Sequence, residues 1–245
     1  MANGPMLSGV HNIRGLGGHP TGSGERTRDG AYLRGDALRG LDSAGLAALL
    51  ASGLTTILDL RSHHEVDEAP NPLADHDAVQ YRHLPLYDRL ATIDAMAQGQ
   101  PGGFDMGLRY RAGLSGCGPA FAEALDFLAQ PHPGTVLFHC TAGKDRTGLI
   151  AALLLENAEV GRDAVVADYA RTASHGAGLI AVLRARSRAR GTDPAHAERV
   201  LGSRPETMRA TLDWLDREHG GAVGYLAAIG VPEATRAALR TRLLG

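Results

Sequence analysis

The 245-residue sequence predicts an α/β protein with a central parallel or mixed sheet flanked by helices, a helical lid and a helical C-terminal part. Two observations support this fold class. Segments with the composition of strands alternate with helical segments as far as the run "TGLIAALLLENA", and every later pattern is helical. No repeat of fixed period is visible. From the order of strands and helices we expect one domain, residues 1–245, with a helical insertion or lid near residues 171–204.

Four segments are typical of strands. They are "AYLRG", "TTILDL", "YRHLPL" and "GTVLFHC". The second and fourth are apolar on both faces, which indicates strands covered on both sides. The first 30 residues are rich in Gly and Pro and predict a loop with at most short strands.

The helical segments carry recognisable start and stop signals. "LDSAGLAALLASG" has Asp42 or Ser43 as its N-cap and Gly53 just past its end, and "GPAFAEALDFLAQ" has Pro119 near its start. "TGLIAALLLENA" follows a strand and a short loop. Six further helices are predicted: "RDAVVADYART", "AGLIAVLRARSRARG", "DPAHAERVLG", "RPETMRATLDWLDREHG", "VGYLAAIG" and "PEATRAALRTRLLG".

Composition excludes several classes of protein. A formal net charge of −2 gives no reason to expect nucleic acid as a partner, and two cysteines cannot form a disulfide framework. The longest apolar run is too short to cross a bilayer. The N-terminus lacks the basic start and apolar core of a secretory signal, so we expect a cytoplasmic protein or one secreted without a recognisable signal peptide.

The segment "VLFHCTAGKDRTGLI" carries the chemistry. Cys140 ends a predicted strand and begins a loop that leads directly into a helix. Ligands of open α/β sheets lie beyond the carboxyl ends of the strands, and the N–H groups of such a loop, with the helix dipole, can hold a dianion. The same field favours thiolate over thiol, which makes Cys140 a candidate nucleophile toward phosphorus.

The other residues of the loop fit the same chemistry. Arg146 can bind two phosphate oxygens with its planar guanidinium, and Thr147 can donate its hydroxyl to the thiolate. Gly143 permits a backbone conformation that a side chain would resist, and His139 is expected to orient the loop by hydrogen bonds. The candidate phosphate-binding residues are Thr141, Ala142, Gly143, Lys144, Asp145 and Arg146.

The run "HCTAGKDRTG" resembles the signature loop of cysteine-dependent protein tyrosine phosphatases, in particular an atypical bacterial branch that includes phosphatases secreted by pathogens. "NIRGLGGHPT", "LRGDALRGL", "ILDLRSHHEVDEAPN", "YRHLPL", "VVADYART" and "RPETMRATLDWLDREHGG" resemble other blocks of that family in the same order, so the resemblance covers nearly the whole chain. Gly15 stands where the family usually carries Asp.

The resemblance implies a phosphatase-like fold with a mobile helical lid. It also implies a two-step hydrolysis of phosphate monoesters through a cysteinyl-phosphate, without metal or other cofactor. The substrates implied are phosphotyrosine, sometimes phosphoserine or phosphothreonine, and phosphoinositides. The expected partners are therefore a phosphorylated protein or a phosphoinositide, and the oligomeric state is left open.

The identity of the general acid has several candidates. The resemblance points to Asp145 within the loop, whereas many phosphatases use an Asp from a separate upstream loop, for which Asp88, Asp94 and Asp105 qualify. Lys144 is the only lysine of the chain. We expect its ammonium to lie at the rim and meet further phosphates of an inositol ring; the alternative is an ion pair with a carboxylate such as Asp59.

Other features admit both functional and structural interpretations. Asp59 and Arg61, after a second strand, either support the loop or form an ion pair that stabilises the sheet. Cys117 is either an inert small residue or a partner for Cys140 under oxidation. The basic run "RARSRARG" is either a solvated face or a surface for peripheral contact with anionic lipid. His63 and His64 have no partners at metal-ligand spacing, so no metal site is expected.

Two other classes of function use similar loops. A phospho-binding module of the same fold would keep the anion site without catalysis. The presence of Cys140, Arg146 and Thr147 together favours the enzyme, because a binding module has no need of the nucleophile. A sulfurtransferase of the rhodanese type also has a Cys-containing anion loop, and the continuation "AGKDRTG" argues against it. Hydrolysis of p-nitrophenyl phosphate without added metal distinguishes an enzyme from a binding module.

Overall fold

A five-stranded sheet forms the centre of the molecule. The computed structural model describes residues 7, 9–98 and 103–245. The strands lie in the order β1-β2-β5-β3-β4. They are β1 (Arg14–Gly15), β2 (Tyr32–Gly35), β3 (Leu54–Asp59), β4 (Gln80–His83) and β5 (Thr135–His139). β1 pairs antiparallel to β2, and the other three pairings are parallel, so the sheet is mixed.

Helices cover both faces of this sheet. In chain order they are α1 (Ser43–Ala51), α2 (His63–Glu68), α3 (Ile93–Gln98), α4 (Met106–Gly116), α5 (Gly118–Ala129), α6 (Asp145–Asn157), α7 (Arg162–Ala170), α8 (Thr172–His175), α9 (Ala177–Ala189), α10 (Pro194–Leu201), α11 (Pro205–His219), α12 (Ala222–Ala228) and α13 (Glu233–Leu244). The predicted α/β fold class is therefore confirmed.

The core has two parts, one on each side of the sheet. On β5, Val136 and Phe138 pack into the larger part with the central and C-terminal helices, whereas Leu137 packs into the smaller part with α1. The period of two in a strand produces this alternation. All five residues of β5 are buried, which explains why its sequence is apolar throughout.

The four predicted strands and the nine predicted helices are all present. Asp42 is the N-cap of α1 and accepts a hydrogen bond from the Gly45 N–H at 2.7 Å. The sequence reasoning missed α2, α3, α4 and α8. Three of these helices have four to six residues, and α4 contains three glycines and two arginines in eleven residues, so its pattern gives little signal.

Burial differs sharply between helices. Ten of the 13 residues of α6 are buried, because this helix lies in the larger core directly behind the loop that follows β5. By contrast, α9 has one buried residue, Ile180, and α10 has one, Ala197. Within the described ranges, no helix combines the length and apolarity needed to cross a membrane.

Candidate active site

The candidate site lies at the carboxyl edge of the parallel strands. β5 ends at His139 and α6 begins at Asp145, so residues 140–144 form the connecting loop. The register places His139 beside Gly35 of β2 and Asp59 of β3. The loop therefore sits in the crevice beyond three neighbouring strand ends, where ligands of open α/β sheets bind.

Gly143 permits the close approach of this loop to β2. Its φ is +64°, and a Cβ atom there would lie 2.5 Å from the carbonyl carbon and oxygen of Gly35. Both the left-handed backbone and the contact distance exclude a side chain. The backbone conformation and the short contact distance thus both explain why the motif has glycine at this position.

Side chains from the N-terminal region hold the loop carbonyls. Asn12 Nδ2 donates to the carbonyl of Ala142 at 2.8 Å and to that of Gly143 at 3.2 Å. Arg34 Nη2 donates to the Gly143 carbonyl at 2.9 Å. These bonds keep the carbonyl oxygens on the protein side of the loop, and so help to fix its backbone for anion binding.

A buried charge cluster anchors Arg34. Asp168 on α7 accepts hydrogen bonds from Arg34 Nη1 and, at 3.0 Å, from Arg14 Nε; all three side chains are about 1% exposed. Although burial disfavours the carboxylate, Arg34 and Arg14 lower the pKa of Asp168 to about 2. Burial and the neighbouring Arg34 lower the pKa of Arg14 to about 10. Asp168 is therefore ionised at neutral pH.

Cys140 is 2% exposed at the start of the loop. The carbonyl of Cys140 lies 3.2 Å from His139 Nδ1, and His139 Nε2 lies 2.9 Å from Asn71 Nδ2. Burial lowers the pKa of His139, so the ring is neutral, with Nδ1 donating to the carbonyl and Nε2 accepting from the amide. Thr147 Oγ1 is buried and has no hydrogen-bond partner within the described ranges. The expected bond from Thr147 to the sulfur is not formed here.

Asp59 and Arg61 form a buried ion pair beneath the loop. Arg61 donates to the two carboxylate oxygens at 2.6 to 3.1 Å and also to the carbonyl of Ala69 at 2.8 Å. Tyr81 donates to Asp59 at 3.0 Å, and His139 Nε2 lies 3.6 Å away. Burial opposes ionisation, but the hydrogen bonds and the positive charge of Arg61 lower the pKa of Asp59 to about 2. These contacts favour the structural interpretation of the pair.

Arg146 is held by a carboxylate that the sequence reasoning did not single out. Its Nη1 and Nη2 donate to the two oxygens of Glu65 at 2.6 and 2.8 Å, and Nη1 also contacts the Leu60 carbonyl at 3.3 Å. Thr141 donates its hydroxyl to the same carboxylate. Although burial alone would raise the pKa of Glu65, Arg146 and Thr141 lower it well below its usual range. The carboxylate therefore fixes the plane of the guanidinium.

Asp145 begins α6 and meets a pair of buried tyrosines. Tyr110 donates its hydroxyl to Asp145 Oδ1 at 2.6 Å, and Tyr169 Oη lies 2.8 Å from the Tyr110 oxygen. Burial, followed by the charge of Asp145, raises the pKa of Tyr110 well above its usual value. Tyr110 therefore stays protonated and acts as a donor to the carboxylate.

The other three candidate acids lie in different settings. Asp105 is the N-cap of α4 and accepts from the Gly107 N–H at 2.7 Å. Asp88 lies 3.5 Å from His63 on the surface. Asp94 faces a cavity of about 490 Å³ between α3 and the α9–α10 pair. Asp145 alone among the four directly follows the loop between β5 and α6.

Lys144 does not occupy the predicted position at the rim. It is 1% exposed, and its Nζ donates to the carbonyl of Val200 and, at 3.1 Å, to that of Gly202. The ammonium also lies 3.3 Å from Asp145 Oδ1. No contact with Asp59 is formed, since Asp59 is bound to Arg61. The side chain is directed toward the end of α10, a partner distant in sequence that the motif could not reveal.

The contributors to the site that were missed include Asn12, Glu65, Tyr110 and Asp168. Glu65 alone carried a local signal, because Ser62 and Glu65 form a capping box at the start of α2. That signal predicts a helix start and says nothing of Arg146. Among the residues that the structure describes, no group of three or more His, Cys, Asp or Glu is placed to hold a metal ion.

The fold and this loop define a class of α/β proteins with a cysteine-containing loop between a buried strand and a helix, and comparisons with known proteins specify it further. Residues 5–245 match the model of the tyrosine phosphatase family. A tyrosine-protein phosphatase of Nostoc commune is 33% identical over 228 residues, covering 87% of this chain and 74% of the relative. The triple specificity protein phosphatase PtpB of Mycobacterium tuberculosis is 32% identical over a 278-residue alignment, covering 98% of both chains.

The chain therefore belongs to the tyrosine phosphatase family. It is an enzyme that hydrolyses phosphate monoesters, and its substrates are phosphorylated. The fold predicted from alternating strands and helices agrees with this assignment.

Proposed function

We propose that the protein hydrolyses phosphotyrosine in two steps through a phosphorylated Cys140, without a metal ion. In the first step the thiolate attacks phosphorus, a P–S bond forms, the P–O bond to tyrosine breaks, and the leaving oxygen takes a proton from an acid. In the second step water attacks phosphorus, the P–S bond breaks, and the conjugate base takes the proton of water. Phosphate leaves and the thiolate is regenerated.

The observation that carries this proposal is the placement of Cys140 at the start of the loop and of Arg146 in the first turn of α6, directly after the loop. The loop backbone is fixed by bonds to its carbonyls, and Arg146 is oriented by two hydrogen bonds from its guanidinium to Glu65. A phosphoryl group above the sulfur would bind the loop N–H groups and Arg146. The unpartnered Thr147 hydroxyl is available to donate to the sulfur when it leaves phosphorus.

Replacing the nucleophile tests this assignment. Cys140→Ser should lose turnover of p-nitrophenyl phosphate but still bind vanadate, because Arg146 and the loop remain. Cys117→Ser is the matched control and should keep wild-type turnover. Chelator should leave the wild-type rate unchanged. If Cys140→Ser kept more than about a hundredth of the wild-type rate, a scale set by the loss of catalytic nucleophiles elsewhere, the assignment would be wrong.

We assign the general acid to Asp145. It begins the helix that follows the loop, and Tyr110 orients its carboxyl from the protein side. Asp145→Asn should slow alkyl phosphates more than aryl phosphates, because a phenolate leaves more easily without protonation. Asp94→Asn is the control, since Asp94 is one of the alternative candidates for the general acid, and it should not show this difference between the two substrate types. Equal losses of kcat on both substrate types would leave Asp145 with a structural role only.

The substrate range is proposed to extend to phosphoserine, phosphothreonine and phosphoinositides. The name of the mycobacterial relative records triple specificity, which supports a broad range for this chain. A panel of phosphopeptides and phosphoinositides, compared by kcat/KM, tests it. Activity on phosphotyrosine alone would remove the proposal.

We further propose that residues 171–204 form a lid over the site. Two observations support a lid: Cys140 is 2% exposed, and Lys144 of the same loop donates to the carbonyls of Val200 and Gly202 in this segment. The α9–α10 pair is the least buried candidate, with one buried residue in each helix. Hydrogen exchange should be faster in α9 and α10 than in α6; equal protection would contradict a lid.

A peripheral contact with anionic lipid is proposed for the outer face of α9. This helix has no acidic residue, and Arg186, Arg188 and Arg190 around its C-terminal end are exposed. At about 1 kcal/mol per arginine near an anionic surface, replacing all three by Gln should weaken vesicle binding roughly a hundredfold. Vesicles with phosphatidylserine test it, and neutral phosphatidylcholine vesicles are the control. Equal binding to both would show that the face is only solvated.

A further inference from the structure

Lys144 links the phosphate-binding loop to the end of α10. We define the lid segment as residues 177–202, from the start of α9 to the C-cap of α10. The Lys144 ammonium donates to the carbonyls of Val200 and Gly202, which lie at the C-terminal end of α10. A helix leaves its last carbonyls without partners and carries partial negative charge there, so a cation is a favourable partner. We call these two bonds the Lys144 tie.

The other described contacts of the lid segment with the rest of the molecule are packing contacts, among them Val200 against the larger core and Arg199 beside Gly103. The ring of His196 packs against that of Phe104 with centroids 5.7 Å apart, and Gly178 lies close to the ring of His11. The ion pair of Arg184 with Glu198, at 2.6 Å, joins α9 to α10 and stays within the segment. The Lys144 tie is thus a charge-assisted contact between a lightly buried segment and the catalytic loop.

We propose that Lys144 is a specificity-determining residue of the phosphatase: its tie holds the lid segment over Cys140, and only substrates whose binding offsets the loss of the tie are hydrolysed efficiently. A bulky phosphopeptide needs the segment displaced, whereas a small aryl phosphate needs a smaller opening. Once released, the ammonium is free beside the loop to meet a second anionic group of the substrate. This inference rests on the proposed lid and on Cys140 as the nucleophile.

Alkylation of Cys140 by iodoacetamide measures the opening directly and needs no turnover. The rate should be followed over pH to its plateau, where the thiol is fully ionised, so that changes in thiolate fraction do not enter. Lys144→Met removes the charge and keeps an unbranched side chain that is one atom shorter. We expect its plateau rate to exceed the wild-type rate about tenfold to a hundredfold, the factor that one charge-assisted hydrogen bond contributes to an equilibrium.

The matched control is Arg184→Met. It removes a cation that lies within the lid segment and leaves the Lys144 tie to the loop intact. Its plateau rate should equal that of the wild type. Cys117, read from its own peptide by mass spectrometry, reports global loosening in every variant. A Lys144→Met rate equal to wild type, or equally raised rates in both variants, would overturn the proposal.

A second measurement uses the wild-type protein and the fact that Lys144 is its only lysine. Reductive methylation of the ε-amine should be at least tenfold slower in the native protein than in the denatured one, since the ammonium is 1% exposed in the tied state. The residual native rate should track the rate of Cys140 alkylation, because both require the same opening. A native methylation rate equal to the denatured rate would overturn the tie even if Lys144→Met failed to fold.

Kinetics separate this proposal from the proposed function. For Lys144→Met, kcat/KM on a bulky phosphotyrosine peptide should rise relative to that on p-nitrophenyl phosphate, and Lys144→Arg, which keeps the charge, should lie closer to the wild type. If neither the wild type nor the variants hydrolysed either substrate while alkylation behaved as expected, the proposed function would fail and the tie would stand. Unchanged selectivity with an active enzyme would refute the specificity role.

Discussion

Replacing Asp168 by Asn tests the buried charge cluster behind the loop. The change leaves Arg14 and Arg34 without their shared carboxylate, and all three side chains are about 1% exposed. Removing one member of a buried ion pair typically costs about 3–5 kcal/mol, which is a large part of the roughly 5–15 kcal/mol that holds a domain folded. For a chain of this size, the melting temperature should fall by roughly 6–20 °C.

The pH dependence gives an independent estimate of the same contribution. The pKa of Asp168 is lowered from its ordinary 3.8 to about 2. At about 1.36 kcal/mol per pKa unit, this shift contributes roughly 2.4 kcal/mol. Because the pKa is lower in the folded protein, the contribution is complete above pH 4 and is lost as the pH falls from about 4 to about 2.

Urea unfolding at several pH values is the assay, and Asp163→Asn is the control. Asp163 lies on the same helix, but its side chain is 90% exposed and its pair with Arg209 is a surface pair, worth at most about 1 kcal/mol. The difference between wild type and Asp168→Asn should be large at pH 7 and shrink below pH 4. A loss below about 1 kcal/mol at pH 7, equal to that of the control, would refute the reasoning.

Three further variants probe the loop itself. Glu65→Gln should weaken vanadate binding by about tenfold or more, because the amide cannot accept two bonds from the loop arginine; unchanged binding by calorimetry would show that the guanidinium needs no support. Gly143→Ala should abolish activity, because its Cβ would lie 2.5 Å from a neighbouring carbonyl. The control is Gly24→Ala, which is also at positive φ but would have no atom within 4 Å of its Cβ. This control should lose only about 1–2 kcal/mol of stability and keep its activity. Tyr110→Phe should slow alkyl phosphates more than aryl phosphates by removing the hydroxyl that orients the Asp145 carboxyl, and equal losses on both would contradict that role.

Local signals explain which parts of the site the sequence predicts. Cys140, Gly143 and Arg146 lie within one strand–loop–helix unit. Their roles can be predicted from their spacing, because their relative positions depend only on this short segment. Glu65 is 81 residues away from Arg146. Asp168 is 134 residues away from Arg34. Such partners are brought together only by tertiary packing, which spacing does not encode.

Lys144 shows the same limit more clearly. The composition of the chain marks this residue as unusual, because all 24 other residues among its lysines and arginines are Arg. The direction of its side chain depends on α10, 56 residues further along the chain. The alternation of strands and helices, by contrast, follows from periods of two and 3.6 that act over a few residues, and the fold class could be predicted from it.

The order of the strands determines when the loop can form during folding. β5 lies between β2 and β3, although it is the last of the five in the chain. β2 and β3 do not pair with each other. The centre of the sheet therefore forms only when residues 135–139 pair with residues 32–35 on one side and with residues 54–59 on the other. Pairings of such sequence separation are slow because loop-closure entropy is lost before the contacts form. On the ribosome, the nascent N-terminal half would therefore expose two unpaired strand edges until the strand that carries the cysteine loop emerges.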